Sequence, residues 1–142
     1  RLLDMKAEPY LLASTITAIV GQRVARKICQ HCKKPYQPTN EVVEDMKKVL
    51  GKLWVPPTPV QLFKGEGCNE CGNTGYLGRV GIFEFLEFSD EVRRFVVSPE
   101  FGLAELQKLA RKQGMRTMFE DGLIKAEKGI TALDEILRVI RE

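Results

Sequence analysis

Four cysteines fall into two pairs, Cys29/Cys32 in CQHC and Cys68/Cys71 in CNEC, with 35 residues between the pairs. No other feature limits the fold as strongly. Two thiolates three positions apart on a tight turn can reach one ion at a metal–sulfur distance of about 2.3 Å, and two such pairs complete a tetrahedron. Gly67 eases the entry to the second pair. Gly72 permits a turn expected to aim backbone N–H groups at sulfur, which lowers the cost of a thiolate. The leading expectation is one structural Zn²⁺ held by Cys29, Cys32, Cys68 and Cys71. An iron ion on four thiolates has the same geometry. Two disulfides or a redox pair use the same spacing, although nothing in the chain points to an oxidising compartment. A closed four-thiolate site leaves no position for water, so the ion would be structural. His31, the only histidine, lies inside the first pair. It reads as an exposed spacer before it reads as a replacement ligand.

The two pairs meet only if their flanks do. Val20, Gln22 and Val24 alternate ahead of Cys29, which suits a strand, with a helix reaching Lys27 as the other reading. RVGIFEFLEF, after the second pair, is a strand apolar on both faces and is expected inside a sheet. If residues 21–27 and 78–88 pair, everything between them is an elaborated hairpin tip. Within that tip, CQHCKKPYQPTN reads as a turn and a proline-broken loop. Thr39 or Asn40 then caps a helix over EVVEDMKKVLGKLW, stopped by VPPTPV. Its stripe of Val43, Met46, Val49, Leu50 and Leu53, lidded by Trp54, is expected to be the insert's own core. Helices are also expected from Pro9, after Ser89, over LAELQKLARKQ to Gly114, from the Thr117/Glu120 capping box to Gly129, and after Thr131. The result is a mainly helical α+β chain.

Hydrophobic content of 44% suits a folded domain, and no apolar run is long enough to span a bilayer. The formal charge of +3 falls to about +1 once four thiolates and one Zn²⁺ are counted, so a general pull toward nucleic acid is weak. Arg23, Arg26, Lys27, Lys33 and Lys34 surround the first pair with no acid among residues 21–34. Arg23 and Arg26 are expected to balance thiolate charge. No phosphate-cradling G-x-x-x-x-G-K-[ST] occurs, nor a metalloprotease, nucleophile-elbow or kinase signature. The chain opens at Arg1 directly into structured-looking sequence. It is expected to be a piece of a longer protein, inactive alone.

Several stretches carry a resemblance. RLLDMKAEPYL opens the chain, QRVARKICQHC and GCNECGNTGYLGRVGIFE follow, and GMRTMFEDGLIK and GITALDE close it. In this order the chain resembles the C-terminal part of the hexameric traffic ATPases of type II secretion and type IV pilus assembly. Lys6 stands where that family's first motif has glycine, and residues 40–64 match no family motif. The resemblance implies that residues 1–27 end a RecA-like α/β ATPase domain. Residues 28–77 would be a four-cysteine zinc insert on a β-hairpin, and residues 78–142 a return strand and helical C-terminal subdomain. It implies ATP and Mg²⁺ in the parent protein only, and a homohexamer in the cytoplasm, peripheral to the bacterial inner membrane. Its partners would be neighbouring protomers, a membrane platform protein and cytoplasmic adaptor proteins, with no nucleic acid, and it would drive pilin or pseudopilin assembly. Arg79, at the start of the return strand, is the candidate for a nucleotide contact in trans. The bland reading of Arg79 is a solvated strand-end arginine. The competing reading of the whole is a free-standing zinc-ribbon module that binds nucleic acid or unfolded protein.

Overall fold

The alternating residues before the first cysteine pair and the aromatic-rich run after the second form the two longest strands, β1 (Ala18–Ile28) and β4 (Tyr76–Glu87), which pair with each other. The Phe88 N–H donates to the Thr17 carbonyl and the Cys29 N–H to the Gly75 carbonyl, each at 3.0 Å. The start of β1 thus lies beside the end of β4, and the pairing is antiparallel. The expected hairpin is present, and the helical alternative for residues 20–27 is not. The computed structural model describes residues 5–55 and 59–141, with six α-helices and two two-stranded sheets among them. The RLLD start of the first motif and residues 56–58 of VPPTPV lie outside the described residues.

The chain divides into two compact units. One takes the residues up to Gly21 with Glu84–Arg116; the other takes Gln22–Phe83 and the residues from Thr117 onward. In the first unit, α1 (Pro9–Thr15), α3 (Asp90–Val96) and α4 (Leu103–Lys112) surround Phe88, Val92 and Val96, with Ile16, Leu86 and Leu109 packed alongside. Pro9 sits in the first turn of α1, where its missing N–H costs nothing. The Ser89 hydroxyl caps α3 by accepting the Val92 N–H at 3.3 Å. Lys6 has φ 61, a left-handed conformation that a side chain adopts at a cost of about 1–2 kcal/mol. That is the demand the glycine of the family motif would meet freely.

In the second unit the proline-broken loop is instead a strand. β2 (Lys33–Tyr36) pairs antiparallel with β3 (Leu62–Gly65), Lys33 opposite Gly65 and Tyr36 opposite Leu62. The Glu66 N–H donates to the Cys32 carbonyl at 3.1 Å. The alternation of an antiparallel ladder then puts the Pro35 nitrogen at a position whose N–H would face away from β3. Pro35 therefore removes no ladder bond and is tolerated.

Beyond this ribbon, α2 (Asn40–Leu50) is capped by Thr39. It ends at Gly51, φ 49, in a single 3₁₀ turn, Gly51–Leu53, earlier than the prolines would have stopped it. Leu53 falls off the stripe and is 42% exposed, while Trp54 folds under. The insert does not hold its own core. Met46, Leu50, Trp54 and Leu62 close around Leu123 of α5 (Met118–Glu127), with Phe119, Ile124 and Leu133 alongside. An 11-residue helix with one apolar stripe cannot enclose itself and must borrow a second surface.

A second cluster, Ala25, Ile82, Ala126, Ile136 and Val139, packs the strands against α5 and α6 (Leu133–Arg141). The capping box is present: Thr117 accepts the Glu120 N–H, and Glu120 accepts the Thr117 N–H. Thr131, expected to cap α6, is fully buried and donates its hydroxyl to the Arg26 carbonyl at 2.8 Å. Helix side chains also finish the strand edges. Asp121 accepts the Phe83 N–H at 2.9 Å, and Lys125 donates to the Gly81 carbonyl at 2.9 Å. Glu135 accepts the Arg26 N–H at 2.9 Å. Such cover satisfies groups that an edge strand leaves open. β4 is not interior to a larger sheet among the described residues, and Phe83 and Phe85 stand 42% and 53% exposed.

Replacing Leu123 with Ala should cost about 2–5 kcal/mol. Because Leu123 belongs to the core beneath α2, hydrogen exchange should show α2 and α5 losing protection together. Loss confined to α5 would mean that the insert core stands alone.

Candidate metal centre

β1 delivers Cys29 directly after Ile28, and the chain turns so that Cys32 leads into β2. On the other side, Cys68–Gly72 forms one tight turn, with Gly72 at φ 58 and the Asn73 N–H returning to the Cys68 carbonyl at 2.9 Å. The four sulfurs lie within 4.8 Å of one another. Cys29 to Cys68 is 3.8 Å, Cys32 to Cys71 is 3.9 Å and Cys68 to Cys71 is 3.7 Å. A regular tetrahedron with metal–sulfur bonds of about 2.3 Å has edges of about 3.8 Å. A disulfide would need sulfurs about 2.05 Å apart, and all four cysteines are free. Cys29, Cys32 and Cys71 are buried, and Cys68 is partly so. His31 is exposed and outside the quartet. The arrangement can hold one metal ion.

Backbone N–H groups face the sulfurs, though not from Gly72. Gly67 donates to Cys32 Sγ at 3.3 Å, and Cys71 Sγ accepts from Cys68 at 3.2 Å and from Gly75 at 3.3 Å. The Gly72 N–H is used inside the turn, on the Asn69 carbonyl. Gly75 is confined on its other side as well. A Cβ on Gly65 would stand 2.0 Å from the Gly75 carbonyl oxygen, so backbone lies on backbone where the ribbon meets the second turn.

The donors divide the thiols. Burial pushes Cys71 up, but the Cys68 and Gly75 N–H groups outweigh it and bring the thiol down to about 6. Burial carries Cys32 up to about 11 despite the Gly67 N–H. Binding a cation must therefore displace protons, and affinity falls as pH falls.

The arginines expected to balance the thiolates are engaged on α6. Arg23 donates to the Val139 carbonyl. Arg26 pairs with Glu135 at 2.7 Å and stacks on the Tyr76 ring, 4.2 Å from its centroid. Glu135 is buried and is also held by Arg138, at 2.7 Å. The two guanidinium bonds from Arg26 to the Glu135 carboxylate are charge-assisted, which makes this pairing strong. Arg79 is exposed and lines a shallow hollow of about 590 Å³ with Arg26, Thr74, Tyr76 and Gly78. Sequence reasoning missed Glu135. Its signal was an acid beside Ile136 and four residues before Val139, on the face of α6 that is otherwise apolar.

Comparison with known proteins decides the family. The type II/IV secretion system protein family model matches residues 1–138. The chain belongs to this family. It is 42% identical over its full length to the type II secretion system protein E of Xanthomonas campestris pv. campestris, covering 24% of that protein. It is 39% identical over 96% of its length to the type IV pilus assembly ATPase PilB of Thermus thermophilus, covering 15% of it. The type II secretion system ATPase E of Vibrio cholerae is 35% identical over the full chain, which covers 27% of it. The chain thus spans about a quarter or less of these relatives. Among the described residues, no helix is long and apolar enough to cross a membrane.

Glu135 gives the fold an acid limit. Burial pushes its carboxyl up, but Arg138 and Arg26 outweigh that and hold it at about 2, below the usual carboxylate range. The stabilisation is complete above the unfolded-state value and is lost as pH falls toward the folded one. Glu135→Gln should flatten the pH dependence of unfolding free energy between about pH 4.5 and pH 2. An unchanged acid limb in urea titrations would assign that loss to other groups.

Proposed function

We propose that this chain is the zinc-bearing C-terminal portion of a hexameric ATPase that drives type II secretion or type IV pilus assembly. The carrying observation is the family match over residues 1–138, joined by relatives that match 96% or more of the chain and whose names include ATPase. In this reading residues 1–27 close a RecA-like ATPase domain, residues 28–77 are the zinc insert, and residues 78–142 are the return strand and helical subdomain. ATP and Mg²⁺ belong to the parent protein, and Arg79 is the residue of this chain proposed to approach the nucleotide. The exposed Phe83 and Phe85 on β4 fit a strand whose outer face meets further protein in the parent. The protein works in the cytoplasm against the inner membrane, with neighbouring protomers, a membrane platform protein and cytoplasmic adaptors as partners, and binds no nucleic acid.

The metal is zinc. Sulfur edges of 3.7–3.9 Å and three backbone N–H donors to sulfur support a closed tetrahedral thiolate site. When bound, the ion supplies charge and fixes four ligands, and leaves no position for substrate. Cys29, Cys32, Cys68 and Cys71 hold it, while Gly67, Cys68 and Gly75 orient sulfur lone pairs.

Arg79 projects from the start of β4 into solvent, where a guanidinium could meet phosphates bound by the neighbouring protomer. In the hexameric parent protein, Arg79→Ala should lower kcat by about 10³ with zinc content unchanged, as expected for an arginine acting on transferring phosphoryl charge. A kcat within about twofold of wild type would remove Arg79 from catalysis. Metal analysis of the same preparations should find zinc at about one equivalent, lost in Cys71→Ser. Iron in its place, or no metal, would refute the zinc reading.

A further inference from the structure

Glu135 is a buried carboxylate held by two arginines, and the proposed function gives it no task. We infer that Glu135 is a positioning residue for the metal centre, acting through Arg26 on both cysteine turns, so that metal binding and the seating of α6 are coupled. The inference rests on the metal reading above.

Its physical basis is a short run of contacts. The Glu135 carboxylate accepts the Arg26 backbone N–H at 2.9 Å and the Arg26 guanidinium at 2.7 and 3.0 Å. Backbone and side chain of Arg26 are thereby fixed together, three residues before Cys29. The guanidinium lies between that carboxylate and the Tyr76 ring. Tyr76 follows Gly75, whose carbonyl accepts the Cys29 N–H and whose N–H donates to Cys71 Sγ. One side chain therefore grips β1 and β4 where each meets a ligand pair. The loop entering α6 bears on the same place. Ile130 accepts the Ile28 N–H at 3.0 Å, Thr131 donates to the Arg26 carbonyl, and Gly129 sits so close that a Cβ there would be 2.4 Å from Lys33 Nζ. Ligand geometry is sensitive to such outer contacts, whose loss typically costs 10–100-fold in metal affinity. Linkage is reciprocal: if a seated α6 tightens the site, the metal tightens α6 by the same factor.

The test uses the full chain. Zinc affinity is measured by competition with a chromophoric chelator, and site geometry by the ligand-field bands of the cobalt(II) form. Glu135→Ala should weaken zinc about tenfold or more and shift the cobalt bands. Glu135→Gln keeps an oxygen for the Arg26 N–H and should fall between Ala and wild type. Leu103→Ala, at an exposed position of the other unit, should leave zinc affinity and cobalt bands unchanged. In the reverse direction, stripping the metal should speed hydrogen exchange in α6. If Glu135→Ala does not fold, the Gln variant and the reverse measurement decide. Wild-type affinity and bands in the Glu135 variants, or α6 exchange indifferent to metal, would overturn the coupling with the zinc site intact. A wild-type protein that binds no zinc would instead fail the metal reading, and the coupling with it.

Discussion

Four sulfurs with neighbours 3.7–3.9 Å apart, three of the cysteines buried, cannot all ionise without a cation among them. That constraint organises the second unit. The chain meets it by directing backbone N–H groups from Gly67, Cys68 and Gly75 at sulfur, and each donor requires its turn to be held still. The Cys29–Gly75 bond and the Gly65–Gly75 backbone contact hold them. The short ribbon and the end of the long hairpin are in this sense scaffolding for four lone pairs.

The helices of the second unit have a further task. A two-stranded sheet leaves two edges of unpaired backbone groups. Asp121 and Lys125, one turn apart on α5, serve β4, and Glu135 on α6 serves β1. Charged side chains thus replace missing strands, and the charge is then offset locally. Lys125 pairs with Asp121, while Arg26 and Arg138 share Glu135. Burial of a carboxylate is tolerable only under such pairing. The same pairing explains why its proton affinity is so low.

Local chemistry was legible in the sequence, and distant partnership was not. Pair spacing announced the cysteine quartet, Ser89 and the Thr117/Glu120 box announced helix starts, and the flanks of the cysteines announced the hairpin. The helix starts are decided within a few residues, and the quartet and hairpin are legible because one short spacing repeats with strand-like flanks on either side. KKPY was misread because its strand character depends on residues 62–65 and on which way the Pro35 nitrogen faces. The insert's core was misread because Leu123 lies far along the chain. Arg23 and Arg26 read as balancing nearby thiolates, although their partners, Val139 and Glu135, lie more than 100 positions away. For these two arginines the partner lies across the fold, and proximity in sequence is a poor guide.

The β2–β3 ribbon has a consequence for descent. It closes the base of the segment 37–61 immediately beside the ligands, so the ligands do not sense how much chain lies beyond it. Lengthening a closed loop costs little, about 0.6 kcal/mol for each doubling. Insertions and deletions there can therefore accumulate, provided one apolar stripe still reaches Leu123. The two residues inside each cysteine pair have no such freedom, since both sulfurs of a pair must reach one point. Among chains that keep this centre, the interval between pairs should drift while the interval within them stays fixed.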